Sequence, residues 1–397
     1  MLIFGKNPYF EYYRRILKDE KDSRALSGII ELADRYGLCG NLWRAFVTYL
    51  IISDENVYTL AHERQERAGG SLTGLAERDF DELYKAFYKR FDKDSVLSIP
   101  YYPQDNDKKS LRLDIGSLVA GLLTELEACN NAAEFKRCAD KFYAENGVGI
   151  FGLYPAFGLK NTDELTLKPA EHLDGVRFSD LWGYEIQKKE LTENTELFIN
   201  HKPANNVLLY GDSGTGKSTA VKALLNEYKD RGLRIIEVYK HQFFHVSELI
   251  DIIKNRNYFF ILFMDDLSFE DFEIEYKYLK ALIEGGIEPK PDNVLIYATS
   301  NRRHLIKESH SDRNDTDDRH RSDTVQEKLS LAERFGVSIF FPKPVAGEYN
   351  DIVLHLARLY KIDMPEEELL RRAHVWGMEH GRLSGRVAHQ FINSISD

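Results

Sequence analysis

The stretch that decides the fold is Asn206-Val207-Leu208-Leu209-Tyr210-Gly211-Asp212-Ser213-Gly214-Thr215-Gly216-Lys217-Ser218-Thr219. An apolar strand runs into the pattern Gly-x-x-x-x-Gly-Lys-Ser, and a helical pattern follows at once, which is the context that a phosphate-binding loop requires. Because glycine allows backbone angles and close approaches that a Cβ atom forbids, the loop's N–H groups point into one concavity at a helix N-terminus. Lys217 then reaches the β- and γ-phosphates, and the Ser218 hydroxyl is a ligand for Mg²⁺. Residues Gly211 to Thr219 therefore predict a nucleoside triphosphate site.

Composition places the chain among ordinary globular proteins. Its 397 residues are 43% hydrophobic and 29% charged, and this length suggests roughly two or three domains. The net charge of −11 argues against general affinity for nucleic acid or anionic membranes, with a local basic patch as the alternative.

The cysteines and the start of the chain predict a location. Cys39, Cys129 and Cys138 form no C-x-x-C pair, so neither a disulfide framework nor a zinc site is expected. The segment from Met1 to Arg15 has no signal-peptide pattern, and no apolar run is long enough to span a bilayer. We therefore expect a cytoplasmic protein without membrane attachment.

Residues 1–150 are expected to form a mostly helical domain. Apolar side chains share one face at helical spacing from Leu42 to Leu50 and again from Phe80 to Phe91. The aromatic side chains between Tyr9 and Tyr13 are interpreted as core packing, with a binding surface as the alternative. We find no catalytic constellation in this domain, and its partner or regulatory role is left unassigned.

Residues 177–344 are expected to form an α/β domain. Apolar runs alternate with helical patterns across this segment, an arrangement typical of a parallel sheet that helices cover on both faces. The runs interpreted as strands are 206–210, 233–239, 258–264, 294–300 and 338–341. Because ligands of such sheets bind at the carboxyl ends of the strands, the residues that follow these runs are the candidates for chemistry.

Three further segments complete the expected organisation. Residues 151–176 are interpreted as a linker, because glycine, proline and polar residues are frequent there. Residues 345–397 are expected to form a small helical tail. Its helices are placed near 348–360, 366–379 and 384–395. Residues 307–324 are crowded with charged and polar side chains and are interpreted as a solvated loop, with partner contact as the alternative.

Asp265 and Asp266 end the apolar run 258–264. A phosphate loop needs a second strand to hold its metal, because Mg²⁺ binds through one or two carboxylates together with phosphates and water. We therefore assign Asp265 to Mg²⁺, together with Ser218, and Asp266 to orienting or activating the attacking water. The alternative is an acidic cap after a buried strand. Two carboxylates without a metal would repel each other, which favours the metal site.

Three more side chains are candidates for contact with the γ-phosphate. Asn301 follows the run 294–300 and is predicted to hydrogen-bond the attacking water or the γ-phosphate, although an asparagine there is also an ordinary turn residue. Arg334 precedes the last strand, and Arg386 lies near the start of the last helix. A phosphoryl-transfer site needs guanidinium charge on the developing oxyanions. A surface position is the alternative for either arginine.

The order of these motifs resembles that of an AAA+ ATPase. In that family the successive motifs are the adenine-side box, Walker A, Walker B, sensor 1, arginine finger and sensor 2. The matching residues here are Gly183-Tyr184, Gly211 to Thr219, Asp265-Asp266, Asn301, Arg334-Phe335 and Gly385-Arg386. More narrowly, four stretches resemble the uncharacterised bacterial AAA+ ATP-binding proteins (domain of unknown function 815). These stretches are Asn205 to Gly211, Asp265 to Glu270, Tyr297 to Leu305 and Glu327 to Leu331.

The resemblance implies a P-loop αβα domain with a C-terminal helical lid and Mg-ATP as the cofactor. It also implies nucleotide contacts at Gly183 and Tyr184, and a homo-oligomer in which Arg334 acts on the nucleotide of a neighbouring subunit. One departure matters, since most AAA+ proteins carry Asp-Glu where this chain has Asp265-Asp266. Asp is one methylene shorter, so its carboxylate lies about 1.5 Å farther from the water, a scale to which catalytic geometry is sensitive. We expect slow hydrolysis.

Two functions compete, and two others are less favoured. The first is an oligomeric ATPase that uses ATP hydrolysis to switch or remodel an unknown protein partner bound by the N-terminal domain. The second is a nucleotide-gated assembly scaffold that hardly hydrolyses ATP. A small-molecule kinase is less favoured because no acceptor-binding lid is found between the strands. A nucleic-acid-associated loader is less favoured because of the acidic net charge.

Overall fold

The structure is a computed structural model. The residues that it describes are 1–66, 69–98, 100–102, 115–162, 164–269, 274–284, 290–302, 333–381 and 383–396. The chain packs as two units. The N-terminal unit comprises Met1–Pro155, Pro169–Leu173 and Asn255–Asn257, and the C-terminal unit comprises Ala156–Lys168, Asp174–Lys254 and Tyr258–Asp397. The loop 307–324 and the stretch 327–331 of the sequence analysis lie outside the described residues.

The N-terminal unit is helical, as its apolar periodicity predicts. Its helices are α1 (Phe10–Lys18), α2 (Ser23–Tyr36), α3 (Leu42–Ser53), α4 (Val57–Glu63), α5 (Ser71–Phe87), α6 (Ile115–Glu127), α7 (Ala132–Asn146) and α8 (Gly149–Leu153). A two-residue ladder joins β1 (Gly40–Asn41) to β2 (Pro100–Tyr101). The aromatic side chains Phe10 and Tyr13 are buried, and Tyr13 stacks on Trp43 with the ring centroids 5.7 Å apart. These two aromatics therefore pack in the core.

The C-terminal unit is built on a seven-stranded sheet. Its strands are β3 (Ala156–Leu159), β4 (Leu167–Pro169), β5 (Val207–Gly211), β6 (Leu233–Glu237), β7 (Phe259–Met264), β8 (Val294–Ser300) and β9 (Val337–Phe341). The strand order is β4-β3-β6-β7-β8-β5-β9, and β3, β6, β7, β8, β5 and β9 pair in parallel along it. Strand β5 lies between β8 and the edge strand β9, so the loop after β5 lies beside the carboxyl ends of β8 and β9.

Helices flank this sheet and form the tail. They are α9 (Glu185–Ile199), α10 (Lys217–Tyr228), α11 (Val246–Ile253), α12 (Ile274–Glu284), α13 (Ala346–Leu359), α14 (Glu366–Glu379) and α15 (Gly385–Ile395). Every residue of β8 is buried, as expected for a parallel strand covered on both faces. The tail helices share a core of their own, built around Tyr349, Leu356 and Phe391. The predicted fold class, an α/β parallel sheet with a helical C-terminus after a helical N-terminal region, is confirmed.

One difference from the expected organisation concerns residues 151–176, interpreted from sequence as a linker. Ala156–Leu159 is a strand of the sheet and pairs in parallel with β6. The run is only four residues long and includes Gly158, so it is too short for a periodicity argument.

A separate observation concerns membranes. Among the helices of the described residues, none has the length and apolar composition needed to cross a bilayer.

Candidate functional site

The loop after β5 adopts the sharp turn that its glycines permit. Gly211 has a φ of +137°, and a Cβ atom there would lie 2.0 Å from the carbonyl oxygen of Phe341. Gly216 has a φ of 92° and is the N-cap of α10, whose first residue is Lys217. The N-terminus of α10 therefore opens directly onto the loop, as phosphate binding requires.

The Lys217 side chain lies under this loop and is 6% exposed. Its ammonium donates to the carbonyl oxygens of Gly211 at 2.8 Å and Asp212 at 2.7 Å, and to Oδ1 of Asn301 at 3.3 Å. Burial lowers the pKa of Lys217, although nearby aspartates partly oppose this shift. Negative phosphate oxygens near this ammonium would favour its charged form, which is the role expected of a phosphate-loop lysine.

Asp265 and Asp266 follow β7, and Asp265 faces the start of α10. Oδ1 of Asp265 accepts a hydrogen bond from Oγ of Ser218 at 2.6 Å and another from Oγ1 of Thr299. Ser218 and Asp265 thus present oxygen atoms side by side beside the phosphate loop. Hydroxyl, carboxylate, phosphate and water oxygens are the ligands that Mg²⁺ prefers, so these residues fit the predicted metal.

Asp266 lies next to Asn301 at the end of β8. Asn301 donates from Nδ2 to Oδ1 of Asp266 at 2.7 Å, while its Oδ1 accepts from Lys217. Asp266 has a φ of 53°, in the left-handed region that Asp tolerates better than most residues. The three polar side chains form one hydrogen-bonded chain, from the Lys217 ammonium through the Asn301 amide to the Asp266 carboxylate.

The helical tail approaches the phosphate loop at the start of α15. Ser384 caps this helix, since its Oγ accepts from the N–H of Val387 at 3.3 Å. The N–H of Arg386 donates to the carbonyl oxygen of Gly214 at 3.3 Å. A Cβ atom at Gly214 would lie 3.0 Å from Oγ of Ser384 and 3.1 Å from Cβ of Arg386. The loop and the helix start are therefore in close contact, which places Arg386 at the cavity.

One cavity of about 780 Å³ in the C-terminal unit is lined by the phosphate loop from Ser213 onward, the two aspartates, Asn301 and Arg386, and its volume is within the size range of ligand pockets. Apolar, aromatic and two further titratable side chains also line it. They include Leu181, Trp182, Ile352, Leu356, Tyr360, Asp180 and His389. Burial lowers the pKa of His389, while Asp180 opposes the shift. Polar and apolar groups in one cavity suit the phosphates and the base of a nucleotide.

The two remaining predicted site motifs, Gly183-Tyr184 and Arg334, differ in their position relative to the cavity. Tyr184 lines the cavity, while its hydroxyl donates to the carbonyl oxygen of Pro342 at 3.0 Å and its ring packs against Phe341. Gly183 precedes it with a φ of 77°. Arg334 lies just before β9 and is not among the described residues that line the cavity. The structure thus brings together the phosphate loop, the two aspartates, Asn301 and Arg386, and does not bring Arg334 to them.

A comparison with protein families assigns the segment that contains these elements. A family model with the description "Protein of unknown function (DUF815)" matches residues 153–397. The chain belongs to this family. The matched segment of this DUF815 protein contains the whole nucleotide cavity and the tail.

Two curated relatives of this chain have names that refer to the proteasome. The "26S proteasome regulatory subunit 6B homolog" of Schizosaccharomyces pombe is 35% identical over 79 residues, which is 18% of this chain and 20% of the relative. The "Proteasome-activating nucleotidase" of Methanocella arvoryzae is 28% identical over 157 residues, or 33% of this chain and 37% of the relative. The DUF815 chain therefore spans a fifth to just over a third of these relatives. The resemblance to an AAA+ ATPase is confirmed.

A solved structure similar to the DUF815 chain is the Holliday junction branch migration motor RuvB of Thermotoga maritima. The TM-score is 0.34 at 14% sequence identity, and the match covers 55% of this chain and 72% of that one.

Sequence reasoning missed several residues of the DUF815 site. Asp180 and His389 line the cavity, and the hydroxyl of Thr299 bonds the carboxylate of Asp265 and the backbone N–H of Asp266. Asp180 lies three residues before Gly183 and His389 three residues after Arg386, but neither belongs to a motif, so no pattern pointed to them. Thr299 had a signal, because it lies two residues before Asn301 at the end of a buried strand.

Proposed function

We propose that this protein is an ATPase that hydrolyses ATP to ADP and phosphate with Mg²⁺. One observation carries the proposal, namely the convergence of the phosphate loop, the two aspartates, Asn301 and Arg386 on a single cavity. A structural cap or an accidental turn would account for each motif alone. Neither accounts for four separate chain segments that meet around one cavity.

Each group has a role in the proposed reaction. The loop N–H groups and Lys217 bind the β- and γ-phosphates, and Ser218 and Asp265 would hold Mg²⁺, which would supply positive charge to the phosphate oxygens. Asp266 accepts a proton from water as its oxygen attacks the γ-phosphorus. The bond from this phosphorus to the bridging oxygen breaks, and ADP leaves with the electron pair. Arg386 compensates the charge that develops on the phosphate oxygens.

We propose further that turnover is slow. The Asp266 carboxylate is one methylene shorter than a glutamate, and it already accepts a hydrogen bond from Asn301 at 2.7 Å. To act on a water, Asp266 must share or leave this bond. Both features raise the barrier to reaching the attacking geometry, which favours a switch over a fast motor.

We infer a homo-oligomer from the position of Arg334, which lies outside the lining of its own cavity. In the proposed assembly its guanidinium reaches the γ-phosphate of a neighbouring subunit. Arg334→Ala should then retain ATP binding and lose turnover, and mixing it with Asp266→Asn should restore part of the activity. Absence of restored activity in mixed oligomers would contradict a shared site.

The alternative function is a nucleotide-gated scaffold that binds ATP with little hydrolysis. The Asn301–Asp266 hydrogen bond favours it, since this bond engages the residue proposed to activate the water. For either function we propose a protein partner bound by the N-terminal unit, in preference to nucleic acid, because the chain carries a net charge of −11. Affinity capture from cells with Asp266→Asn in the presence of ATP should identify the partner.

Titration with a fluorescent ATP analogue tests nucleotide binding directly. The wild type should bind, and Lys217→Ala should bind at least about 100-fold more weakly, since charge-assisted contacts to phosphate each contribute roughly 1.5–3 kcal/mol. A Lys189→Ala variant, at an exposed position of α9 that is not among the described residues lining the cavity, is the control and should bind like the wild type. Tight binding by Lys217→Ala would refute the assignment of the loop.

A further inference from the structure

The end of β8 holds the turn that carries the two aspartates. The N–H of Leu267 donates to the carbonyl oxygen of Thr299 at 2.7 Å, and Oγ of Ser300 donates to the carbonyl oxygen of Leu267 at 2.7 Å. These two bonds tie the backbones of the two segments together just beyond the point where β7 ends. The position of the turn is thus determined by residues of the neighbouring strand.

The Thr299 hydroxyl adds contacts to both aspartates. The side chain is 2% exposed, and Oγ1 accepts a hydrogen bond from the N–H of Asp266 at 2.8 Å. The same oxygen donates to Oδ1 of Asp265. A hydroxyl has one proton, so donation to Asp265 determines its direction. One buried hydroxyl therefore contacts the carboxylate of Asp265 and the backbone of Asp266.

These contacts bear on how the Asp265 carboxylate is oriented. Within the described part of the chain, the hydroxyls of Ser218 and Thr299 both bond Oδ1. Ser218 is itself a proposed metal ligand, and its proton can point to Asp265 while an oxygen lone pair faces the metal. Thr299, on the neighbouring strand β8, supplies a second hydrogen bond to the same oxygen. The two hydroxyls together restrict the rotation of the Asp265 carboxylate.

Thr299 also contacts the backbone of Asp266, whose conformation is unusual. Asp266 has a φ of 53°, a conformation that is uncommon for residues other than glycine and is kept only where surrounding contacts enforce it. The bond from its N–H to Thr299 is one such contact. The direction in which the Asp266 side chain leaves the turn depends on this conformation.

We propose that Thr299 is a positioning residue of the nucleotide site, whose hydroxyl orients Asp265 for Mg²⁺ and Asp266 for water. This inference rests on the proposed ATPase function. A residue that orients a metal ligand typically changes metal affinity or activity by about 10- to 100-fold when its contact is removed. A threonine that only fills space would affect stability and leave the response to Mg²⁺ unchanged.

The test compares Thr299→Ser with Thr299→Ala. Both variants lose the methyl group, and they differ only in the hydroxyl. Binding of a fluorescent ATP analogue is measured first in EDTA and then in a titration with Mg²⁺, and the kcat and KM of phosphate release are measured separately. Thr195→Val is the matched control, because Thr195 is also buried and its hydroxyl bonds Leu191 and Tyr297.

The expected result separates metal-free binding from the metal response. In EDTA, Thr299→Ser and Thr299→Ala should bind the analogue within about twofold of the wild type, since the loop supplies most contacts there. Thr299→Ala should require roughly 10- to 100-fold more Mg²⁺ and show a similarly lower kcat. Thr299→Ser and Thr195→Val should match the wild type in both measurements.

Two results would overturn the inference. The first is an equal Mg²⁺ response in Thr299→Ser and Thr299→Ala, and the second is a wild-type response in Thr299→Ala. If Thr299→Ala does not fold, Thr299→Val replaces it against Thr299→Ser, and a wild-type response in Thr299→Val overturns the inference. A wild type that fails to bind the analogue, or ignores Mg²⁺, would instead refute the proposed ATPase function.

Discussion

Replacing Ser384 by alanine tests how the helical tail is held at the phosphate loop. Oγ of Ser384 is the N-cap of α15 and accepts from the N–H of Val387 at 3.3 Å. Both residues are buried, Ser384 at 2% exposure and Val387 at 6%. The substitution therefore leaves a buried N–H without its acceptor in the helix turn that carries Arg386.

The magnitude follows from these contacts. Loss of a serine N-cap costs about 1 kcal/mol, within a range of roughly 0.5–2 kcal/mol. Burial of the unpaired N–H places the expected loss of unfolding free energy toward the upper end, at about 1.5 kcal/mol. If ATP binding requires Arg386 to stay in place, the same free energy weakens ATP affinity by up to about tenfold.

Two assays check this expectation. Urea unfolding gives the change in the free energy of unfolding, and titration with a fluorescent ATP analogue gives the change in affinity. Ser384→Thr keeps a capping oxygen and should lose little in either assay. Ser394→Ala removes a hydroxyl from the last turn of the same helix and serves as the control. The reasoning is refuted if Ser384→Ala equals the wild type in both assays, or if Ser394→Ala shows the same losses.

Three further predictions concern stability. Gly211→Ala should destabilise the C-terminal unit by about 3 kcal/mol or more in urea unfolding, because its Cβ would lie 2.0 Å from the Phe341 carbonyl at a φ of +137°. Glu63→Gln should lower the free energy of unfolding by about 1.5–3 kcal/mol in the same assay, because it removes one charged partner of the buried Arg256 inside the N-terminal unit, while Glu55 still pairs with Arg256 at 3.1 Å. His389→Gln should flatten the fall of Tm between pH 7.5 and about 5.5, since burial lowers the pKa of His389. The unfolded chain therefore binds more protons than the folded chain. The free energy of unfolding decreases as the pH falls through the ordinary histidine pKa of about 6.5.

Controls make each of these three outcomes decisive. Gly347→Ala, at a helix position with open space around it, should leave stability near that of the wild type, and equal losses at both glycines would contradict the steric reason. Adding Arg256→Met to Glu63→Gln should recover part of the loss, since Glu55 is partly exposed and can be hydrated, whereas a further loss would contradict the account that Glu63→Gln leaves the buried Arg256 with too little negative charge. An unchanged pH profile in His389→Gln would contradict the assigned cause.

The sequence predicted the elements whose chemistry is local along the chain. The phosphate loop, the Asp265-Asp266 pair and Asn301 each follow an apolar strand, and the carboxyl ends of parallel strands meet at one edge. Contacts made by tertiary approach could not be predicted. The bond from Arg386 to Gly214 depends on how the tail folds back over the sheet.

Strand β3, His389 and Arg334 had weaker signals in the sequence. Strand β3 is a four-residue run with a central glycine, too short to distinguish from a linker by periodicity. His389 lines the cavity because α15 packs beside α13, and although it lies three residues after Arg386 on the same helix, no motif includes it. Arg334 was identified by motif order alone, and its proposed target lies on another copy of the chain.

Phosphate release from ATP tests the central claim most directly. The wild type should release phosphate in the presence of Mg²⁺ at a slow, measurable rate, because the groups for phosphate binding, metal binding and water activation share one cavity. Asp266→Asn should keep ATP binding and lose this release, since an amide cannot accept the proton from water. Equal and negligible rates for the wild type and Asp266→Asn would contradict the account and favour the scaffold.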